Sequence, residues 1–200
     1  MNRVYAGILL TSVLLAHGAP RHKTETVVAP AENASDIASA REALRRAAAE
    51  WGEDHPVTAL MLSNLALAMR EGGYFNYAEH YAHQSLAILE RHFGPGDVSL
   101  VPPLNVLAEA AISQAKYAEG REMAMRAIAI GPDAGAHYGT ALHNMATACQ
   151  AEGNIQDAAE FYRQALSVRE KVLPPGHPYI RLTRAALEQV QRSTKMVAHR

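Results

Sequence analysis

The sequence predicts an all-α protein, an α-solenoid of about eight helices arranged as antiparallel hairpins. The first observation is composition: aromatic residues make up only 6% of the chain and alanine is abundant, which favours closely packed helices over a β-sandwich. The second is a helical hairpin pattern in residues 142–166. The third is that this pattern recurs, as it must if a hairpin that cannot bury its apolar face alone is to be stable.

The hairpin in residues 142–166 reads as two amphipathic helices joined by a turn at Glu152-Gly153-Asn154. The small residues Ala146, Ala158 and Ala165 lie 12 and then 7 positions apart. Two helices cross closely only where their side chains are small. We therefore expect these residues to lie at the crossing of the two helices.

Composition excludes several functional classes. The formal net charge of −1 provides no attraction to nucleic acid or to an anionic membrane surface. Cys149 is the single cysteine, so an intrachain disulfide and a multi-cysteine metal site are excluded. We expect Cys149 to be a small buried residue of the core.

The N-terminal residues 1–18 are predicted to be a secretory signal peptide. Arg3 precedes an apolar run of 13 residues at 4–16, and Ala16-His17-Gly18 offers a cleavage site. The run is short for a membrane span, although an uncleaved anchor stays open. We expect an exported protein, periplasmic or secreted, with no membrane contact after cleavage. Residues 19–35 contain two prolines and no helical periodicity, which predicts a disordered linker.

The remaining chain divides into a half repeat, three full repeats, a capping helix and a tail. Glycine- and proline-containing loops separate the units, and proline at the first turn of the next helix is favoured. The half repeat spans 36–51, the full repeats about 56–92, 98–130 and 137–171, the capping helix 178–194 and the tail 195–200.

Small residues recur at equivalent positions of the three full repeats. The turn position at Gly73 recurs 42 residues later at Ala115 and a further 38 later at Gly153. In the capping helix Glu188 replaces the small residue, a polar substitution that suits the end of a solenoid. The three triplets are Ala66, Ala78, Ser85; Ala108, Gly120, Ala127; and Ala146, Ala158, Ala165.

These residues resemble tetratricopeptide repeats in the form of roughly 42 residues found in kinesin light chains. Residues 142–146, LHNMA, match the start of that pattern. The second copy departs from it at Val106 and Ala115. HEAT-type repeats, of similar length, lack the triplet spacing and the turn glycine. Further matches are Gly153, Ala158, Tyr162, Ala165, Leu166 and the loops His55-Pro56 and His177-Pro178.

The resemblance implies a right-handed superhelix whose first helices line a concave groove for an extended peptide or a partner helix. An asparagine at Asn64 and Asn144 suits contact with a ligand backbone, because an amide both donates and accepts; both could instead bond within the solenoid. The carried-over groove positions are Ser63, Asn64, Leu67, Arg70, Asn105, Val106, Glu109, Ile112, His143, Asn144, Thr147, Gln150, Gln189 and Arg192.

The sequence contains no convincing catalytic, metal or cofactor site. His80 and His83 lie one helical turn apart beside Glu79, but a catalytic zinc site needs a third protein ligand. Phosphate-loop and serine-nucleophile motifs are absent. His55 and His177 belong to the repeat loops and are interpreted as structural. We therefore expect no enzymatic activity and no cofactor.

Two functional hypotheses remain. The first is an exported interaction scaffold that binds a peptide or protein segment of unknown identity in its groove. The alternative is a structural subunit of an envelope assembly that self-associates as a homo-oligomer. A carboxylate clamp of lysine and asparagine residues, used by one subfamily, is not expected, because no lysine lies at the matching groove positions.

Overall fold

A computed structural model describes residues 34–198, and side chains within residues 36–193. This part of the chain is built from α-helices without strands, so the predicted fold class is confirmed. The predicted signal peptide and nearly all of the predicted linker lie outside the described residues. The helices are α1 Ala34–Trp51, α2 Pro56–Glu71, α3 Phe75–Phe93, α4 Val101–Ser113, α5 Tyr117–Ile130, α6 Ala136–Ala151, α7 Ile155–Val172 and α8 Pro178–Ala198.

The helix bounds differ from the expected ones mainly at the two ends. Helix α1 begins at Ala34, where a linker was expected. Helix α8 continues to Ala198, into the segment expected as a tail. Short 3₁₀ turns at Val98–Leu100 and Pro132–Ala134 precede α4 and α6. Such turns are common where a helix starts.

The small-residue triplets lie at the helix crossings, as predicted. All nine residues are buried, and Ser85 satisfies its hydroxyl by donating to the carbonyl of Ala59 at 2.7 Å. The closest approach is at Gly120, where an added Cβ would lie 2.6 Å from Cγ1 of Ile112 and 3.0 Å from the carbonyl oxygen of Ala108. Helices α4 and α5 thus cross at a distance that only glycine permits.

The recurring loops between repeats start the next helix with a side-chain cap. The Nδ1 atom of His55 accepts from the backbone N–H of Val57 at 3.2 Å, and Nδ1 of His177 accepts from that of Tyr179 at 3.2 Å. Asp97 occupies the equivalent position and accepts from the N–H of Ser99 at 2.9 Å. These contacts satisfy helix N–H groups that have no partner within the helix. His55 and His177 are therefore structural, as interpreted from the sequence.

The turns inside the hairpins use a left-handed residue. Gly73 and Gly153 have φ of 79° and 85°, and Ala115 in the second copy adopts φ of 59°. A Cβ atom makes this conformation costly. The second turn is therefore closed by a strained alanine where its neighbours have glycine.

The core runs through the stacked hairpins and ends at a polar surface. One buried cluster extends from Ile37 to Ala141 and a second joins the third hairpin to α8. On α8, the positions equivalent to the buried Leu62, Ala66 and Met69 carry exposed polar side chains. This surface ends the stack, as expected for a solenoid cap. Its residues are Arg184, Glu188 and Gln191.

None of the helices in residues 34–198 is long and apolar enough to cross a lipid bilayer.

Candidate functional site

The first helices of the hairpins form one inner layer. Helix α4 packs against both α2 and α6, whereas each of these helices also packs against the second helix of its own hairpin. Side-chain amides join the layer along its length: Nδ2 of Asn105 donates to the carbonyl of His137 at 2.9 Å, and Nδ2 of Asn144 donates to the carbonyl of Asn105 at 3.3 Å. The inner face is thus held together by polar contacts between successive repeats.

An ion pair between Arg70 and Glu109 joins α2 and α4 near the C-terminal ends of these two first helices. The two side chains are 16% and 23% exposed, and Nδ2 of Asn144 lies 3.4 Å from the Glu109 carboxylate. Burial lowers the pKa of Arg70, but Glu109 and the Tyr179 hydroxyl raise it by more, so its net pKa lies above the ordinary value. Arg70 therefore stays charged. Its surroundings combine residues of three successive repeats, Arg70, Glu109 and Asn144, with Tyr179 of α8.

Several of the predicted groove residues are less accessible than the resemblance implies. The exposed fractions are only 5% for Ser63, 4% for Asn105, 3% for Val106 and 3% for Asn144. Asn144 uses its amide within the solenoid, which was the alternative to ligand contact. Close packing of neighbouring first helices leaves no room for a ligand at these positions. We therefore remove these four residues from the proposed contact surface.

In the third hairpin, Tyr162 engages three of the predicted groove residues. The Tyr162 hydroxyl lies 3.1 Å from Oγ1 of Thr147 and donates to Oε1 of Gln150 at 3.0 Å. The His143 ring lies 5.1 Å from the Tyr162 ring, and its Nδ1 is 3.3 Å from Oγ1 of Thr183. Burial, and to a smaller extent the charge of Arg169, lowers the pKa of His143 to about 3. His143 is therefore a neutral imidazole at physiological pH.

The most accessible predicted groove residues lie on α2 and α8. Leu67 is 38% exposed, and Asn64, Gln189 and Arg192 are also exposed. Ile112 is partly buried. The structure thus brings Arg70, Glu109 and Asn144 into contact, whereas Gln189 and Arg192 are exposed on α8.

Sequence reasoning missed a buried cation beneath this face. Arg169 on α7 is 2% exposed and donates to the carbonyl of Tyr179 at 3.1 Å, to Oγ1 of Thr183 and to Oγ1 of Thr140 at 3.2 Å. It also lies 5.2 Å from the centre of the Tyr179 ring. Alignment of the repeats could have revealed that this position is buried, because the residue equivalent to Arg169 in the first hairpin is the apolar Leu89.

The described residues contain no group of three or more His, Cys, Asp or Glu side chains that could hold a metal ion. His80 and His83 are both exposed on α3. Cys149 is buried at 4% exposure, and burial raises the pKa of its thiol. A protonated, buried thiol is a poor nucleophile, which fits its expected place in the core.

Comparison with known families identifies the repeat. Two sequence models of the tetratricopeptide repeat match the chain, one over residues 58–98 and the other over residues 99–171. Together they cover residues 58–171 without a gap, which is nearly all of the three hairpins α2 to α7. No curated protein matches the sequence.

Solved structures share the fold at low sequence identity. A Podosopora anserina protein described as a kinesin light chain with nearly identical TPR-like repeats is 20% identical, with a TM-score of 0.59 over 82% of this chain and 80% of that chain. BtubC (BKLC) from P. vanneervenii is 18% identical, with a TM-score of 0.66 over 82% of this chain and 67% of that chain. These likenesses establish the solenoid architecture.

Proposed function

Because the chain belongs to the tetratricopeptide repeat family, we propose that it is an interaction scaffold whose inner face binds an extended segment of a partner protein. The family is of an interaction type and not of a catalytic type. Recognition of an extended segment uses hydrogen bonds to its backbone and contacts with alternate side chains. Both kinds of contact need an accessible strip of mixed polarity.

The observation that carries this proposal is that α2 and α8, two of the first helices, expose large apolar side chains. Leu60 and Leu67 on α2 are 40% and 38% exposed, and Leu182 on α8 is 54% exposed. Leu60 and Leu182 occupy equivalent positions of their first helices. Burying such side chains against a partner is favourable at about 25 cal/mol per Å². These exposed side chains support binding of a segment that carries apolar residues.

A matched pair of exposed apolar residues tests the proposal. The full chain is used to select peptides from a displayed library of random 12-residue sequences. Leu67→Glu, on the inner face, should abolish binding of the selected peptides, whereas Met125→Glu should leave it unchanged. Met125 is 51% exposed on α5, a second helix. Equal loss in both variants, or no selected peptide, would contradict the proposal.

Self-association is the weaker alternative. End-to-end stacking would pack a helix against the free face of α8, where Glu188 and Gln191 are exposed and Arg184 pairs with Glu170 at 2.6 Å. Burying the charged side chains of Arg184 and Glu188 without new partners is costly. A monomer by light scattering at micromolar concentrations supports the scaffold, and a concentration-dependent oligomer supports the alternative.

We also propose that the protein is exported. Support comes from the positively charged start and the short apolar run of residues 1–18, a pattern typical of signal peptides. Intact-mass analysis of protein from the cell envelope or medium should find a chain beginning at Ala19. A full-length chain retained in the cytoplasm would contradict this.

A further inference from the structure

Helix α8 docks on the third hairpin through an interface that contains a buried charge. Arg169 of α7 is 2% exposed and donates to two neutral acceptors on α8, the carbonyl of Tyr179 at 3.1 Å and Oγ1 of Thr183. Its Nε is buried without a hydrogen-bond partner. Burial lowers the pKa of Arg169 to about 10, so the guanidinium is charged at physiological pH. Docking of α8 therefore removes a cation from water without providing a hydrogen-bonded carboxylate from the described residues, which is unfavourable.

The His143 imidazole lies in the same interface. His143 is on α6, at the position equivalent to Asn105 on α4, whose side chain reaches the next first helix at His137. The first helix that follows α6 is α8, and Nδ1 of His143 lies 3.3 Å from Oγ1 of Thr183. The guanidinium of Arg169 donates to the same oxygen. A protonated His143 would therefore place a second cation beside the first one.

The groups around His143 favour the neutral ring. From α7 it meets the Tyr162 ring at 5.1 Å and the charge of Arg169, and from α8 it meets the neutral hydroxyl of Thr183. Glu109 of α4 acts on Arg169 through space but already forms an ion pair with α2. Burial, and then the charge of Arg169, lowers the pKa of His143 to about 3. In water an imidazole titrates near 6.5, roughly, so release of α8 favours protonation.

The corresponding interface of the first hairpin lacks a buried charge. There Leu100, Val101 and Leu104 are 0–1% exposed and belong to one apolar cluster. Leu89, the residue equivalent to Arg169, lies in that cluster. Among the side chains that the structure describes, Arg169 is the one charged group that is buried. The α8 interface is thus built differently from the interface of α4.

Apolar burial opposes this cost and holds α8 in place. Ile180, Leu187 and Val190 of α8 are 3%, 8% and 1% exposed, and the last two pack with the third hairpin. The opposite face of α8 is polar and covered by no further helix of the described chain. An element at the end of a stack contacts one neighbour only and opens locally at a lower free-energy cost than an inner one. Helix α8 is therefore the first helix whose docking depends most on the state of buried polar groups.

We propose that α8 is an acid-sensitive latch, which protonation of His143 releases from the third hairpin while helices α1 to α7 stay stacked. The open state binds a proton that the docked state does not, so the free energy of opening is highest above about pH 6.5 and falls as the pH drops. Opening also returns Arg169 to water. Leu182, which is 54% exposed on α8, moves with the helix, so opening removes it from the surface that the scaffold would use. That consequence rests on the proposed function, whereas the opening itself does not.

Amide hydrogen exchange of the full-length chain, followed by mass spectrometry of its peptic fragments, measures local opening. Exchange is recorded from about pH 7.5 to about pH 5, and each rate is divided by the intrinsic rate at that pH. The opening constant of the α8 amides should rise about 30-fold over this range, as expected for one proton with a docked pKa of about 3 and an open pKa of about 6.5. The amides of α2 and α3 should show no such rise.

Variants at the two buried groups separate their roles. His143→Gln should reduce the rise to less than about twofold, whereas His80→Gln, at an exposed position of α3, should keep the full rise. Arg169→Met should lower the opening constant about fivefold at every pH, because an apolar side chain replaces a buried charge and the Thr183 hydroxyl keeps the Tyr179 carbonyl as its acceptor at 2.9 Å. This variant should keep most of the rise, since burial is the larger cause of the low pKa of His143.

Three outcomes would overturn the latch. An equal rise in α8 and in α2 and α3 would mean that the whole solenoid unfolds together. A rise that persists in His143→Gln would assign the proton to another group. If His143→Gln does not fold, Arg169→Met decides, because a higher opening constant in this variant would show that the buried cation holds α8 in place. None of these measurements uses a peptide, so their result is independent of the proposed function.

Discussion

A Cβ atom added to Gly139 on α6 would lie 3.0 Å from Cγ of Arg169 on α7. The glycine therefore provides the space in which the arginine crosses from the second helix of the third hairpin toward α8. The equivalent positions of the first two hairpins carry Ala59 and Val101. Two departures from the repeat, a glycine and an arginine, thus depend on each other.

Replacing Gly139 should expose this dependence. Gly139→Val places a branched side chain against the Arg169 stem and should lower the free energy of unfolding by about 2 kcal/mol, measured by urea denaturation. The control is Ala185→Val at an exposed position of α8, where only helix propensity changes, by about 0.5 kcal/mol. Equal losses in the two variants would mean that the stem of Arg169 is free to move aside.

The α4–α5 crossing should be equally sensitive. Gly120→Ala brings a Cβ to 2.6 Å from Cγ1 of Ile112 and should cost about 1–3 kcal/mol of stability. Combining it with Ile112→Ala should recover about 1 kcal/mol relative to the sum of the single effects. Gly96→Ala, where an added Cβ meets nothing within 4 Å, should be neutral; strict additivity of the first two changes would refute the close crossing.

The strained turn at Ala115 should be improvable. Ala115 has φ of 59°, and relief of about 1–2 kcal/mol of left-handed strain exceeds the entropic cost of glycine. Ala115→Gly should therefore raise the free energy of unfolding by about 0.5–1 kcal/mol. The reverse change at Gly73, with φ of 79° and open space around it, should lower stability by about 1 kcal/mol. Thermal melts of both variants check this, and a destabilised Ala115→Gly would contradict it.

Acid should destabilise the protein through His143. Its folded pKa is about 3, against about 6.5 for an unfolded chain. Between about pH 3 and pH 6.5 the His143 imidazole is protonated in the unfolded state and neutral in the folded state. The stability is therefore fully present above about pH 6.5 and falls as the pH drops toward 3. The expected slope is about 1 kcal/mol per pH unit. His143→Gln should flatten it in urea titrations at pH 4 to 7, whereas exposed His80→Gln should not.

Repetition explains how far the sequence could predict the fold. Three copies that agree at the triplet positions define the hairpins, because only small residues permit the helix crossings seen at Ala66, Ala108 and Ala146. The prediction of groove residues was less successful. A residue on the inward side of a first helix faces either the open groove or the next first helix, and helical periodicity does not distinguish the two. Asn105 and Asn144 are therefore buried between repeats.

The sequence by itself determined the architecture: local patterns of small residues, turn glycines and helix caps specify hairpins that can bury their apolar faces only by stacking. The tertiary structure decided which side chains remain accessible and where charge accumulates. Arg70, Glu109, Arg169 and Tyr179 come from four helices and meet only when the repeats are stacked. Electrostatic interaction depends on distance and burial, and for residues so far apart in the chain neither is set before the solenoid forms.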